Sequence, residues 1–321
     1  MAALSLRPLP LGELLDRAFT LYFRHIIAFS ALLGVVLLPS LLVSYLQTRN
    51  ILDFYISTMQ KVITSPNSPP DLSGLSSLAP SDLLTVLNLL LGVVVVPLSY
   101  GAVVIGVSRA YVGLPVTFAD CYRPALRRWF AVVMLVLLWA VFVFFAVIGI
   151  VIVAAIIGAS IGALGAALGS SVIGVVLAIL FLVVFAAAFG FTIMLYLTSA
   201  VSFISVVLEN LDPPRAVGEA FSRVFGGKRF WRSFLLAVAI AGIYFGAFLV
   251  IAGGGALLAY LLKSPAIYVI FLGLMQLFFV PFAVVTAAVY YYDIRIRRDG
   301  LDLQMLIERV TNPTQPSAPS A

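Results

Sequence analysis

Charged and reactive residues are scarce in this chain. Among 321 residues there is one cysteine and one histidine, and only 10% are Asp, Glu, Lys or Arg. The single cysteine, Cys121, excludes an internal disulfide and gives no sign of a cysteine-based metal site. No Asp, Glu, Lys, Arg or His occurs between Trp129 and Leu208. A water-soluble domain does not omit charge over so long a stretch, so the class of soluble globular proteins is excluded.

Apolar residues are abundant instead. They make up 63% of the chain, and the mean hydropathy is +1.17. A bilayer core of about 30 Å requires about 20 consecutive apolar residues in a helix. The sequence therefore predicts an all-α integral membrane protein with six transmembrane helices. The predicted spans are 27–47, 83–108, 130–156, 172–200, 233–253 and 266–290.

The basic residues are distributed unevenly between the two sides of the predicted spans. The terminal segments and the even-numbered connections carry 16 Lys and Arg residues, whereas the other connections carry 3. Because basic residues accumulate on the cytoplasmic side, we predict that the N- and C-termini are both cytoplasmic. The pI of about 9.5 comes from this belt and favours anionic lipid headgroups as partners; we predict no nucleic-acid partner.

One amphipathic pattern occurs three times, each time directly before a predicted span. GELLDRAF at 12–19 and GEAFSRVF at 218–225 share spacing and residues, and FADCYRPA at 118–125 follows the same apolar periodicity. Glu13, Asp120 and Glu219 occupy matching positions in these segments. Apolar residues at i, i+3, i+4 and i+7 are typical of an amphipathic helix, which we expect to lie at the cytoplasmic interface.

Each interval between the amphipathic segments contains two predicted spans. The sequence thus predicts three parallel units, each consisting of an interface helix followed by two transmembrane helices. The predicted units are 1–114, with an outer loop at 48–82, then 115–211 and 212–299, followed by a cytoplasmic tail with a disordered end at 300–321.

Three segments of the chain resemble a known family. They are RPLPLGELLDRAFTLYFRH at 7–25, ENLDPPRAVGEAFSRVFGG at 209–227 and YYDIRIRRDGLDL at 291–303. These segments are similar to those of the glycerophosphoryl diester phosphodiesterase membrane-domain family, multi-pass bacterial membrane proteins mostly of unknown function. The resemblance implies membrane anchoring in the bacterial inner membrane. The soluble phosphodiesterase domain that some members carry is not in this sequence, so no catalytic residue is carried over.

The leading hypothesis is a non-enzymatic membrane anchor or scaffold whose basic interface helices bind anionic lipid and a cytosolic or membrane protein partner. We predict no cofactor and no metal. Glu13–Arg17 and Glu219–Arg223 have the i, i+4 spacing that supports a helix, and the tyrosines at 290–292 suit the headgroup layer. The candidate interface residues are Glu13, Arg17, Arg24, Asp120, Arg123, Arg127, Arg128, Glu219, Arg223, Lys228, Arg229, Arg232, Arg295 and Arg297.

Two alternatives remain open at this point. Three parallel units around a pseudo-threefold axis could form a transporter or channel component that moves a small solute or lipid. The absence of ionisable residues from the predicted spans counts against proton coupling. A lipid-modifying enzyme is the other alternative, and it would have to use the interfacial residues Glu13, His25, Asp120 and Glu219.

Overall fold

The protein is helical throughout the part of the chain that the structure describes. In the computed structural model, this part comprises residues 9–64, 82–168, 171–227 and 230–299. Ten α-helices and one π-helical turn occur within these ranges, and no strand does. The helices are α1 (Leu11–Arg24), α2 (Ile26–Thr64), α3 (Asp82–Leu90), α4 (Val96–Tyr111), α5 (Phe118–Arg127), α6 (Trp129–Leu168), α7 (Ser171–Leu208), α8 (Pro213–Phe225), α9 (Phe230–Leu261) and α10 (Pro265–Asp299).

Six helical segments are long and apolar enough to cross a membrane, which confirms the predicted number of spans. Each predicted span overlaps one of them. They are Ile26–Leu46, Leu83–Tyr111, Trp129–Ser160, Ile179–Leu208, Phe230–Leu261 and Ala266–Arg298. The protein is therefore a multi-pass membrane protein, as the hydropathy indicates.

The first half of the predicted outer loop is helical. Helix α2 continues to Thr64, so the first half of the region 48–82 extends the first span. The remainder of that region, 65–81, and the predicted tail at 300–321 lie outside the described residues.

The second span contains a π-helical turn, which joins α3 to α4. This turn covers Leu91–Val95 and ends two residues before Pro97. A proline inside an α-helix lacks an N–H donor, and its ring clashes with the carbonyl four residues earlier, which here belongs to Val93. The wider π turn surrounds that carbonyl, so the helix passes Pro97 without ending.

Each of the three short helices buries one stripe of small and apolar side chains. Helix α1 buries Leu14 and Ala18, α5 buries Cys121 and Ala125, and α8 buries Ala216 and Ala220. The members of each pair are four residues apart, and this spacing places them on one helical face. Helix α5 is also capped, because the Thr117 side chain accepts a hydrogen bond from the Asp120 N–H.

Helix α10 lies at the centre of the bundle. It packs against α1, α2, α4, α7 and α9, and its residues Tyr290 and Tyr291 are fully buried. Helix α6 lies at the periphery and contacts α4, α7 and α8. None of the described residues from 140 to 160 is buried, so this part of α6 presents apolar side chains on every face.

Candidate functional site at the basic end of the bundle

A largely buried carboxylate organises the end of the bundle where α7, α8 and α10 meet. Glu209 directly follows α7, and its two oxygens contact the two terminal nitrogens of Arg223 in α8 at 3.0 Å each. The chain reverses between these helices at Asn210, which has a positive φ of 58°. Asparagine tolerates this left-handed conformation better than most residues. The reversal brings α8 back against α7 and Arg223 onto Glu209.

Three further side chains surround this ion pair. Arg223 Nη1 donates to Ser205 Oγ at 2.9 Å, and the Tyr291 hydroxyl donates to Glu209. The Arg223 guanidinium lies 5.5 Å from the centre of the Tyr291 ring, a cation–π distance. Arg295 approaches Glu209 at 3.6 Å. Three helices, α7, α8 and α10, are thereby joined through one carboxylate.

The electrostatic balance at Arg223 favours its charged form. Burial alone would lower the pKa of Arg223, but the hydrogen bond and negative charge of Glu209 outweigh burial, so the pKa is raised above its ordinary value. Its side chain is only 6% exposed. A buried arginine of this kind is held by its carboxylate partner. The sequence predicted Arg223 in a lipid or partner interface. Within the chain its guanidinium contacts Ser205, Glu209 and the Tyr291 ring, and a role at such an interface stays a prediction.

A second buried carboxylate attaches the start of the described chain to the bundle. Asp293 in α10 accepts a hydrogen bond from the Leu9 N–H at 2.8 Å, and it pairs with Arg232 at 2.8 Å and Arg297 at 3.0 Å. The same two arginines donate to the Leu9 carbonyl, at 2.5 and 2.8 Å. Both polar groups of Leu9 are thus bound, which fixes the entry into α1.

A third network, more exposed than the other two, connects α4 to α5. Arg109 pairs with Asp120 at 2.9 Å and donates from Nε to the Pro115 carbonyl at 3.0 Å. Thr117 also donates to Asp120, at 2.6 Å. The Asp120 side chain is 49% exposed, so this pair contributes little to stability compared with the buried pairs.

Arg17 lies over an aromatic stack. Its guanidinium is 5.3 Å from the centre of the Tyr111 ring, which stacks on Tyr292 at 4.9 Å. The Tyr292 hydroxyl donates to Ser108 Oγ at 2.9 Å. Arg17 therefore packs α1 against α4 and α10.

A different set of arginines lies at the surface beside exposed aromatic residues. Arg24, Arg123 and Arg127 are exposed. Their neighbours in the chain include the exposed rings of Phe23 and Trp129. Trp231, at the start of α9, is also exposed, at 68%. Basic side chains together with exposed aromatic rings are typical of the membrane–water interface.

The predicted candidates thus fall into separate groups. Glu219 pairs with Arg298 at 3.3 Å and with Arg223 only at 3.7 Å, so the i, i+4 pair predicted in α8 is secondary to Glu209. Arg128 donates to the Asn210 carbonyl at 3.3 Å. Glu13 is exposed on α1. Lys228 and Arg229 lie outside the described residues.

Sequence reasoning missed four members of the buried networks, and they are Ser205, Glu209, Tyr291 and Asp293. It also assigned the tyrosines at 290–292 to the headgroup layer, and it did not predict that two of them pack inside the bundle. Tyr290 bonds to Ser233 at 2.5 Å and Tyr291 to Glu209, and both rings are buried. One signal was present: Glu209 is the first charged residue after the long uncharged stretch, where an uncompensated carboxylate would be costly.

Comparisons with known proteins give no match. No family model, no curated protein and no solved structure matches the chain. Within the described ranges, no group of three or more His, Cys, Asp or Glu side chains is placed to bind a metal ion. The basic end of the bundle comprises the short helices α1, α5 and α8 and the charged residues around them. Chemically, it combines buried ion pairs that join helices with exposed arginines that can contact an anionic surface.

Proposed function

We propose that the protein is a non-enzymatic membrane anchor or scaffold whose basic end binds anionic lipid headgroups. The observation that carries this proposal is the exposed set Arg24, Arg123 and Arg127 beside exposed aromatic rings. Each basic residue near an anionic leaflet contributes about 1 kcal/mol of attraction. The aromatic rings add apolar contact at the same depth, so the two residue types act together at the headgroup layer.

The finer arrangement is part of the same proposal. Both termini face the cytoplasm, and the chain consists of three parallel units in the inner membrane. The order of the helices supports this, because α1, α5 and α8 each precede two long apolar segments. The charge asymmetry of 16 against 3 basic residues supports the orientation. Membership of the glycerophosphoryl diester phosphodiesterase membrane-domain family stays a prediction, as does a protein partner at the basic end.

Lipid selectivity provides the test of this proposal. The protein is placed in phosphatidylcholine liposomes that contain spin-labelled phosphatidylglycerol or spin-labelled phosphatidylcholine, and electron paramagnetic resonance measures how much of each label is held at the protein surface. We expect the native protein to hold more phosphatidylglycerol. The triple variant Arg24→Gln, Arg123→Gln, Arg127→Gln should lose most of this preference, and added salt should reduce it in the native protein.

A charge-preserving triple variant, with lysine at the same three positions, is the matched control. It should keep the preference for phosphatidylglycerol, because the long-range attraction depends on charge. Equal selectivity in the native and glutamine proteins, with both folded, would exclude the headgroup role.

The orientation has its own test in a Cys121→Ala background. Lys263 lies in the connection between α9 and α10, on the side opposite to the basic end in the proposed topology. A membrane-impermeant maleimide added to intact cells should label Lys263→Cys and leave Arg123→Cys unlabelled. The reverse pattern would invert the proposed topology.

A further inference from the structure

A cavity lies inside the bundle, and Ile204 in its wall directly precedes Ser205, which binds Arg223. The cavity has a volume of about 210 Å³ and is lined by residues of α4, α6, α7 and α10. Trp139 in its wall is ten residues from the start of α6, so the cavity lies about 15 Å along that helix.

The wall of the cavity is aromatic and rigidly held. Trp139 donates its indole N–H to Ser202 Oγ at 2.8 Å, and both residues are buried. Its ring also stacks on Phe221 of α8 at 6.1 Å. Phe203 and the rings of Tyr100 and Tyr196 form other parts of the wall. An aromatic wall favours a ligand with a flat ring, because aromatic pairs gain attraction beyond the area that they bury.

The cavity also contains hydrogen-bond donors that the described chain leaves unused. Tyr100 and Tyr196 both line the cavity, and neither side chain makes a hydrogen bond within the described part of the chain. Ser199, by contrast, donates to the Tyr196 carbonyl at 2.7 Å. A hydroxyl without a partner is costly in hydrocarbon, and a ligand acceptor would remove that cost.

The charge and size of the cavity limit the class of ligand. No charged residue is among those that line it, so a charged ligand would be left uncompensated. Sites for drug-sized molecules measure about 300–1,000 Å³, so this cavity holds a single substituted ring and excludes a whole phospholipid. Tyr196 in the wall is 58% exposed, so a molecule dissolved in the bilayer can reach the cavity beside it.

We propose that this cavity binds the ring of a neutral, membrane-soluble quinone, with the Tyr100 and Tyr196 hydroxyls donating hydrogen bonds to its carbonyl oxygens. The ring lies against Trp139 and Phe203, and an alkyl tail extends past Tyr196 into the bilayer. This site is independent of the headgroup interface at the basic end.

Tryptophan fluorescence offers a direct readout, because the chain has three tryptophans. The variant Trp129→Phe/Trp231→Phe keeps only Trp139, in the cavity wall. The variant Trp129→Phe/Trp139→Phe keeps only Trp231, which is exposed. Both are placed in phosphatidylcholine nanodiscs and titrated with an alkyl-benzoquinone, which quenches tryptophan at short range. We expect saturable quenching of Trp139 and a linear, unsaturated response from Trp231.

Two further variants test the assignment within the Trp139-only protein. Tyr100→Phe removes one donor and should raise the half-saturating concentration about threefold to tenfold. Ala200→Phe fills the cavity and should abolish the saturable component. An alkylbenzene with the same tail, which has the ring but no carbonyl, should not compete.

The proposal fails if Trp139 is quenched with the same linear dependence as Trp231. It also fails if Tyr100→Phe leaves the half-saturating concentration unchanged, or if the alkylbenzene competes as well as the quinone. Because Tyr100→Phe is a conservative change, it keeps the test valid even if Ala200→Phe does not fold.

Discussion

Arg223 in α8 and Glu209 after α7 contact each other through two nitrogen–oxygen pairs of 3.0 Å, with side chains only 6% and 14% exposed. Tyr291 of α10 donates to the same carboxylate. The pair therefore connects a short helix to two transmembrane helices at a place where water is largely excluded. Removing one partner from such a pair leaves a buried charge without compensation.

The Glu209–Arg223 pair should account for a large part of the attachment of α8. We expect Arg223→Met to reduce the free energy of unfolding by about 3–5 kcal/mol, because it leaves the Glu209 carboxylate buried without its main partner. Glu209→Met alone should have a similar effect, and the double variant should cost less than the sum of the two. Thermal unfolding of the four proteins in detergent measures this coupling. Strict additivity would show that the two residues do not interact, and Arg24→Met is the exposed control.

Asp293 and Asp120 provide a comparison between a buried and an exposed carboxylate. Asp293→Asn should destabilise the protein by several kcal/mol, on the order of 3–5, because Arg232 and Arg297 lose their charged partner. Asp120→Asn should cost only about 0–1 kcal/mol, since its pair with Arg109 is exposed. Hydrogen exchange should also show faster exchange at the start of α1 in the Asp293 variant alone. Similar exchange in both variants would contradict the role of Asp293 in holding Leu9.

Two adjacent glycines in α9 should respond differently to the same substitution. A Cβ added at Gly255 would lie 2.6 Å from the Cβ of Phe271, whereas one added at Gly254 meets nothing within 4 Å. The Phe271 Cβ is fixed to its backbone, so α9 and α10 would have to separate. We expect Gly255→Ala to cost about 1–3 kcal/mol in thermal unfolding. Gly254→Ala should be neutral or stabilising by up to about 1 kcal/mol, owing to the higher helix propensity of alanine.

The thiol of Cys121 should react slowly with iodoacetamide in the folded protein. Burial raises its pKa from an ordinary value of 9.0 to about 11. At pH 8 this shift of two pH units lowers the reactive thiolate fraction about a hundredfold. The rate should rise about tenfold per pH unit between pH 8 and 10, and denaturation in SDS should remove the protection. Equal alkylation rates before and after denaturation would show that Cys121 is accessible in the folded state.

The spans could be predicted from the sequence because hydropathy is a local property. Any stretch of about 20 apolar residues must cross the membrane or be buried, whatever surrounds it. The apolar stripes of α1 and α8 are local in the same way, since the residues that are buried together are only four positions apart.

The buried networks could not be predicted in the same way. Glu209 and Tyr291 are 82 residues apart, and Leu9 and Asp293 are 284 apart. No local pattern joins such residues, and arginines at the end of a span suit a headgroup anchor and an ion pair equally well. Tyr290 and Tyr291 illustrate the ambiguity: their position at the end of a span favours the interface, whereas the central place of α10 buries them.

Helix α6 also has a consequence for the membrane around the protein. Its 40 residues extend about 60 Å at 1.5 Å per residue, twice the thickness of the hydrocarbon core. Even at a tilt of about 40°, the upper end of the usual range, it would still rise about 46 Å across the bilayer. Since tilting alone does not fit this helix into the core, we expect the bilayer to thicken beside α6, which would draw longer-chain lipids to that flank and favour the protein's partition into thicker regions of a membrane.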